Sequence, residues 1–286
     1  MCSDPVFKVP YTARMLRAAV IQMVSGADVG QNLADAANLI GAAKAAGAGF
    51  AALPEFFAII SVDDRAKLAI RETFGRGPLQ DFLSAQARQQ GIWLLGGTLP
   101  IQSDEPERVY NSSLLYDPQG NCVARYDKMH LFDVYVDAEK REQYNESATM
   151  KHGAQPVVAA TPFGNIGMSV CYDLRFPELY RGMHAQGIVM ITAPSAFTAR
   201  TGEKHWEILL RARAVENLCF VIAPGQGGVH NEKRATWGHS MIVDPWGEIL
   251  CCVEAGPGFA CADLDFDALQ ALRRSFSALN HRRLNL

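Results

Sequence analysis

Apolar residues along the chain fall into two alternating patterns. Short, mostly apolar runs such as LRAAVIQM at positions 16–23 predict buried strands. Longer stretches, such as NLADAANLIGAAKAAGAG at 32–49, place apolar residues at helical spacing and close on glycine, which predicts amphipathic helices. In the first half the pattern predicts strands at 50–55 and 92–100, the former ended by Pro54, and a helix at 78–91. A hairpin at 109–128 follows, turning at Asp117-Pro118-Gln119-Gly120.

The same order then returns. Strands are expected at 166–173, 188–195 and 219–225, the middle one ended by Pro194, with helices at 176–187 and 205–218. A second hairpin at 239–254 turns at Asp244-Pro245-Trp246-Gly247. Each half thus reads β-α-β-α-β-β, with matched proline stops and matched D-P-x-G turns, which points to an internal duplication. Strands alternating with one-sided helices predict an α/β fold. Two such sheets packed face to face, with helices outside, make a four-layer αββα sandwich. No Pro/Ser-rich linker separates the halves, so one domain is expected over 16–286, preceded by a loose N-terminal arm at 1–15.

Composition narrows the function classes. The net charge is −3 with no basic stripe, which argues against a nucleic-acid partner. No apolar run is long enough to span a bilayer, and the first residues lack the apolar stretch of a secretory signal. The 7 cysteines are odd in number and irregular in spacing, so reduced thiols in the cytoplasm are expected rather than a disulfide framework.

One of those thiols stands at a junction. In GNIGMSVCYDLRFPELYRG, Cys171 ends a small, apolar strand and a charged, aromatic turn follows at once. Strand ends are where α/β folds place their chemistry, and backbone N–H groups there are expected to lower a thiol pKa and to hold an oxyanion. A buried structural cysteine fits the same stretch. A thiol nucleophile needs a base, and none of the 7 histidines is singled out by spacing as a base or as a metal ligand. Glu55, directly after FAALP, is an unusual place for a merely solvated carboxylate. Lys128, in VARYDKMHLFD, reads by itself as an edge charge facing water. Glu146, in QYNES, reads by itself as a surface loop residue.

Taken together, ALPEFF, YDKMHLF and VCYDLRFPE resemble the nitrilase superfamily of carbon–nitrogen hydrolases, in order and in spacing, over nearly the whole chain. The resemblance implies the αββα sandwich and a hydrolase without metal or organic cofactor. It implies Cys171 as nucleophile, Glu55 as general base, Lys128 as oxyanion stabiliser, and Glu146 orienting Lys128 and the substrate amide. PSAFTARTGEKHWEILLRARAVEN, HNEKRATWGHSMIVDPWG and LRRSFSALNHRR are similar to the branch whose enzymes hydrolyse deaminated glutathione. The implied partner is therefore a small acidic amide, and Tyr172, Arg175, Phe197 and Thr198 are expected to line its pocket. Lys204, His205 and Arg234 are further candidate contacts, and a structural ion pair is the competing role for Arg175. The acidic and basic loop between Lys128 and Glu146 is expected to shape the pocket mouth. The resemblance also implies a stand-alone enzyme, paired as a homodimer or higher oligomer with LRRSFSALNHRR reaching to the partner.

Rival activities are an ω-amidase on α-ketoglutaramate, an N-carbamoyl amidohydrolase and a true nitrilase, all with the same catalytic residues. A non-catalytic interaction protein on this scaffold would tolerate loss of Cys171, Glu55 or Lys128, and all three are present. The vicinal Cys251-Cys252 pair raises a thiol redox protein, but no C-x-x-C occurs. Gly238-His239-Ser240 fails as a serine-hydrolase elbow because Ile242 stands where a second glycine is needed.

Overall fold

A computed structural model describes residues 14–137 and 142–284. Of the expected N-terminal arm, residues 1–13 lie outside the described residues, and Met15 already begins the first strand.

Two sheets dominate. In the first, Met15–Gln22, Phe50–Ala52 and Trp93–Leu95 run parallel, and Val109–Tyr116 and Cys122–Asp127 continue antiparallel. In the second, Gly164–Met168, Ile188–Thr192 and Phe220–Ala223 run parallel, followed by antiparallel Ser240–Val243 and Ile249–Val253. The duplication expected from sequence is therefore present in the pairing itself. Each sheet also carries an antiparallel edge strand that the pattern did not reveal. Val157–Thr161 flanks the second sheet, and Gly258–Asp265 returns from the far end of the chain to pair with Met15–Gln22.

Alternation along the strands separates the layers. Ala18, Val20, Phe50 and Ala52 face the second sheet in one core. Ala19, Ile21, Ala51 and Leu53 face the opposite way, against Ala36, Ile40, Leu79 and Leu83 of the helices Val29–Ala45 and Pro78–Gln90. Helices Pro177–His184 and Ala199–Asn217 cover the second sheet through Tyr180, Met183, Trp206 and Leu210. The result is the four-layer αββα sandwich.

Local chemistry fixes the ends of these elements. Asp28 caps the first helix by accepting from Gln31 N at 3.0 Å, Pro78 starts the next, and Thr198 caps Ala199–Asn217 through Thr201 N at 3.2 Å. The two D-P-x-G turns are built alike. Asp117 Oδ1 accepts from the N–H groups of Gln119 and Asn121, and Asp244 Oδ1 from those of Trp246 and Glu248.

One expectation is corrected. The stretch after Lys128 is not a plain loop, because Asp133–Asp137 and Glu142–Asn145 pair as a hairpin, with the four intervening residues outside the described set. The C-terminal stretch begins in the helix Phe266–Ser275, which packs on its own chain, and continues to an exposed Phe276. Phe266 and Leu269 are buried, and Arg273 donates to the carbonyls of Leu218 and Ile188.

Candidate active site

The strand ends of both halves meet over one cleft of about 580 Å³. Glu55 follows the stop at Pro54, Lys128 leaves the first hairpin, and Cys171 leaves Gly164–Met168. All three are buried, at 1%, 2% and 8% exposure, so the lysine is no edge charge in water.

Lys128 Nζ lies 3.0 Å from Glu55 Oε1 and 3.0 and 2.8 Å from the two Glu146 oxygens. Burial acts to strip its charge, but the neighbouring carboxylates of Glu146 and Glu55 outweigh it and raise the ammonium well above the usual lysine value. Both acids are held on several sides. Glu55 Oε1 also accepts from Asn111 Nδ2 at 2.9 Å and Oε2 from Ala196 N at 2.9 Å. Glu146 Oε2 accepts from Phe132 N at 2.7 Å. Glu146 is therefore a part of the site, seated in the 3-10 turn Glu146–Ala148 rather than on a surface loop.

Cys171 opens the 3-10 turn Cys171–Arg175 with φ +50°, an uncommon left-handed backbone for a side chain of this kind. Its N–H is taken by Pro194 O at 3.0 Å. The expectation of a lowered thiol pKa is overturned. Burial, then the charge of Glu55, push the thiol well above its ordinary value, and the Lys128 charge and the Ala196 N–H only partly oppose them. Burial and the neighbouring acid thus favour the neutral form of the Cys171 thiol.

Asp173 ties the Cys171 turn to the Lys128 strand. It accepts from Tyr126 Oη at 2.7 Å, Val170 N at 2.8 Å and His130 N at 3.1 Å, and meets His130 Nδ1 at 2.7 Å. Sequence reasoning missed both His130 and Asn111. For Asn111 a signal existed: Asn111, Ser112 and Ser113 form a polar run inside an otherwise apolar strand, and all three are buried. The imidazole of His130 stacks on Phe176 at 3.7 Å, a partnership no spacing could disclose.

Tyr172, Arg175, Phe197 and Thr198 all line the cleft, joined by Phe56, Lys67, Tyr144 and Arg234. Arg175 is not in an ion pair with any described carboxylate. It contacts His205 Nδ1 at 3.2 Å and lies over the rings of Tyr172 and Phe197. Lys204 is corrected: it is outside the cleft and pairs with Glu203. Among the described residues no trio of His, Cys, Asp or Glu is placed to hold a metal ion.

The chain is similar in sequence and in fold to known proteins. The sequence profile of the family described as carbon-nitrogen hydrolase matches residues 17–274. The deaminated glutathione amidase of Synechocystis sp. is 43% identical over 268 residues, spanning 93% of this chain and 97% of that one. That of Homo sapiens is 41% identical over 94% of this chain and 82% of its own. Among solved structures, the C. elegans NitFhit protein matches with TM-score 0.85 and 34% identity over 95% of this chain, which spans 66% of that protein. Saccharomyces cerevisiae Nit3, a member of branch 10 of the nitrilase superfamily, matches with TM-score 0.85 and 28% identity, over 95% of this chain and 98% of that one.

Proposed function

The chain belongs to the carbon–nitrogen hydrolase family, and from that premise we propose that it cleaves the amide of deaminated glutathione through a thioester on Cys171. The observation that carries the reading is the Lys128 ammonium set between Glu55 and Glu146, in a cleft that also holds the buried Cys171 thiol. The names of the relatives support the substrate.

The neutral thiol decides the order of events. As Cys171 Sγ attacks the amide carbonyl, its proton passes to Glu55, so no free thiolate need exist in the dry pocket. The carbonyl oxygen becomes an oxyanion, held by Lys128 Nζ and the Tyr172 N–H. An ammonium has three N–H donors; one serves Glu55, one is shared by the two Glu146 oxygens, and the third faces the oxyanion. The C–N bond then breaks, and the proton on Glu55 goes to the leaving amine. Water attacks the thioester, giving a proton to Glu55, and the sulfur leaves with that proton restored. Glu146 holds Lys128 in place.

Residues 16–286 act as one domain in this reading. The described cysteines are all unpaired, which supports a reducing, cytoplasmic setting. The exposed rings of Trp246 and Phe276, 5.4 Å apart, support a homodimer, which sedimentation velocity would read as twice the chain mass.

The decisive assay measures amine release from deaminated glutathione, α-ketoglutaramate and an N-carbamoyl amino acid. Fastest turnover of deaminated glutathione, lost in Cys171→Ala, is expected. Preference for α-ketoglutaramate would make the protein an ω-amidase, and activity surviving in Cys171→Ala would remove the thioester.

A further inference from the structure

Four cations line the cleft, and two of them have carboxylate partners. Lys128 is held by Glu55 and Glu146, and Lys67 lies 3.7 Å from Asp64. Arg175 and Arg234 have no carboxylate within ion-pair distance among the described residues. Arg175 belongs to the turn that begins at Cys171. Arg234 comes from a different element, the strand Arg234–Trp237, and its guanidinium lies 5.3 Å from the centroid of the Phe56 ring. The Lys67 ammonium lies 4.8 Å from the same ring.

Arg234 also marks a direction. Together with Tyr144 it lines both the cleft and an adjoining surface groove of mixed charge, bordered by Arg200, Glu203, Glu232, Lys233 and Trp237, that opens to solvent. In acyl transfer the acyl half stays on the enzyme as the thioester while the amine half departs. The amine half therefore belongs on the side that opens outward.

We infer that Arg234 anchors a carboxylate carried by the leaving amine, so that the cleft is built for an amide with an anionic group on each side of the scissile bond. The acyl-side carboxylate faces Arg175. This inference rests on the amidase reading above and adds to it the chemistry of the amine half. Deaminated glutathione meets the requirement, because its amine half ends in the glycine carboxylate. A primary amide releases only ammonia and leaves Arg234 without a partner.

The physical case is one of geometry and charge. A guanidinium laid on an aromatic ring keeps its N–H edge free for a two-pronged grip on a carboxylate. Burial lowers the Lys67 pKa; Asp64 opposes this, and the positive charge of Arg234 lowers it further, so the two cations repel across Phe56. An arriving carboxylate relieves that repulsion.

The test pairs two substrates with two enzymes. The substrates are deaminated glutathione and the same compound with its glycine carboxylate converted to the carboxamide. Wild type is expected to favour the carboxylate by roughly 10- to 100-fold in kcat/KM, mostly through KM. In Arg234→Gln that preference is expected to shrink to within about 3-fold, with Arg234→Lys in between. A purely structural role for Arg234 would slow both substrates alike and keep the preference, which overturns the inference. Wild-type turnover of both substrates without preference overturns it too, with no variant needed. Wild type silent on both, yet active on α-ketoglutaramate, overturns the substrate reading and the inference together.

Discussion

Lys128 shows most plainly how much a residue's meaning depends on what surrounds it. On a hairpin it reads as an edge charge; folded, it is a buried cation shared by two carboxylates. Lys128→Met is expected to lower kcat by about a hundred- to a thousand-fold, as loss of an oxyanion donor does. It also leaves two buried acids uncompensated, which costs on the order of 3–5 kcal/mol, so urea unfolding should show a lower midpoint. The sign with pH follows from the raised pKa. The raised ammonium stabilises the fold throughout neutral pH, and that contribution is lost on the alkaline side as pH climbs beyond the ordinary lysine value of about 10.4 and through the folded one. Cys171 gives a second pH signature. Its thiol is held neutral by burial and by Glu55, so alkylation by iodoacetamide should be slow at neutral pH and keep rising past the ordinary cysteine value of about 8.5. An alkylation rate already level at neutral pH would mean a resting thiolate and sink the proton transfer drawn above.

At the scale of elements, the site depends on close backbone approaches that pin the strand ends. Gly97 has φ +55°, and a Cβ there would fall 2.1 Å from Pro54 O, next to Glu55. Gly97→Ala must shift the stop that carries the base. A stability loss of about 1–3 kcal/mol is expected. A fall in kcat at nearly constant KM should accompany it, since the reacting groups move more than the binding walls; unchanged kinetics would show that the stop is not held from this side. Gln226 of the second half supports the same stop by donating to Glu55 O at 3.1 Å and to Ser25 Oγ at 2.8 Å. The strands and helices behind these contacts were legible from apolar spacing, proline stops and the two D-P-x-G turns. The hairpin Asp133–Asp137 with Glu142–Asn145 was not, because charged residues crowd it and conceal the alternation.

At the scale of the whole molecule, the edge strand Gly258–Asp265 closes the first sheet with residues from the far end of the chain. The two sheets also share one core, so the halves cannot separate without exposing it. One cooperative unfolding transition is expected, with circular dichroism and tryptophan fluorescence coinciding. A chain ending at Glu254 should expose the Met15–Gln22 edge and aggregate rather than fold. A soluble, cooperatively folding truncation would show that the first half closes without its edge strand.

Much was written in the order of residues. Apolar runs and helical spacing set the strands and helices, since burial of one face needs only local alternation. The repeated order of elements set the duplication, and three motifs taken together pointed to the family. What only the tertiary structure decided is the state of the groups. Asn111 became a brace for Glu55, and Asp173 the tie between the Cys171 turn and the Lys128 strand. The Cys171 thiol proved raised rather than lowered in pKa. These are properties of burial and of charges brought together from distant parts of the chain. Both depend on distance and dielectric, which local spacing does not carry.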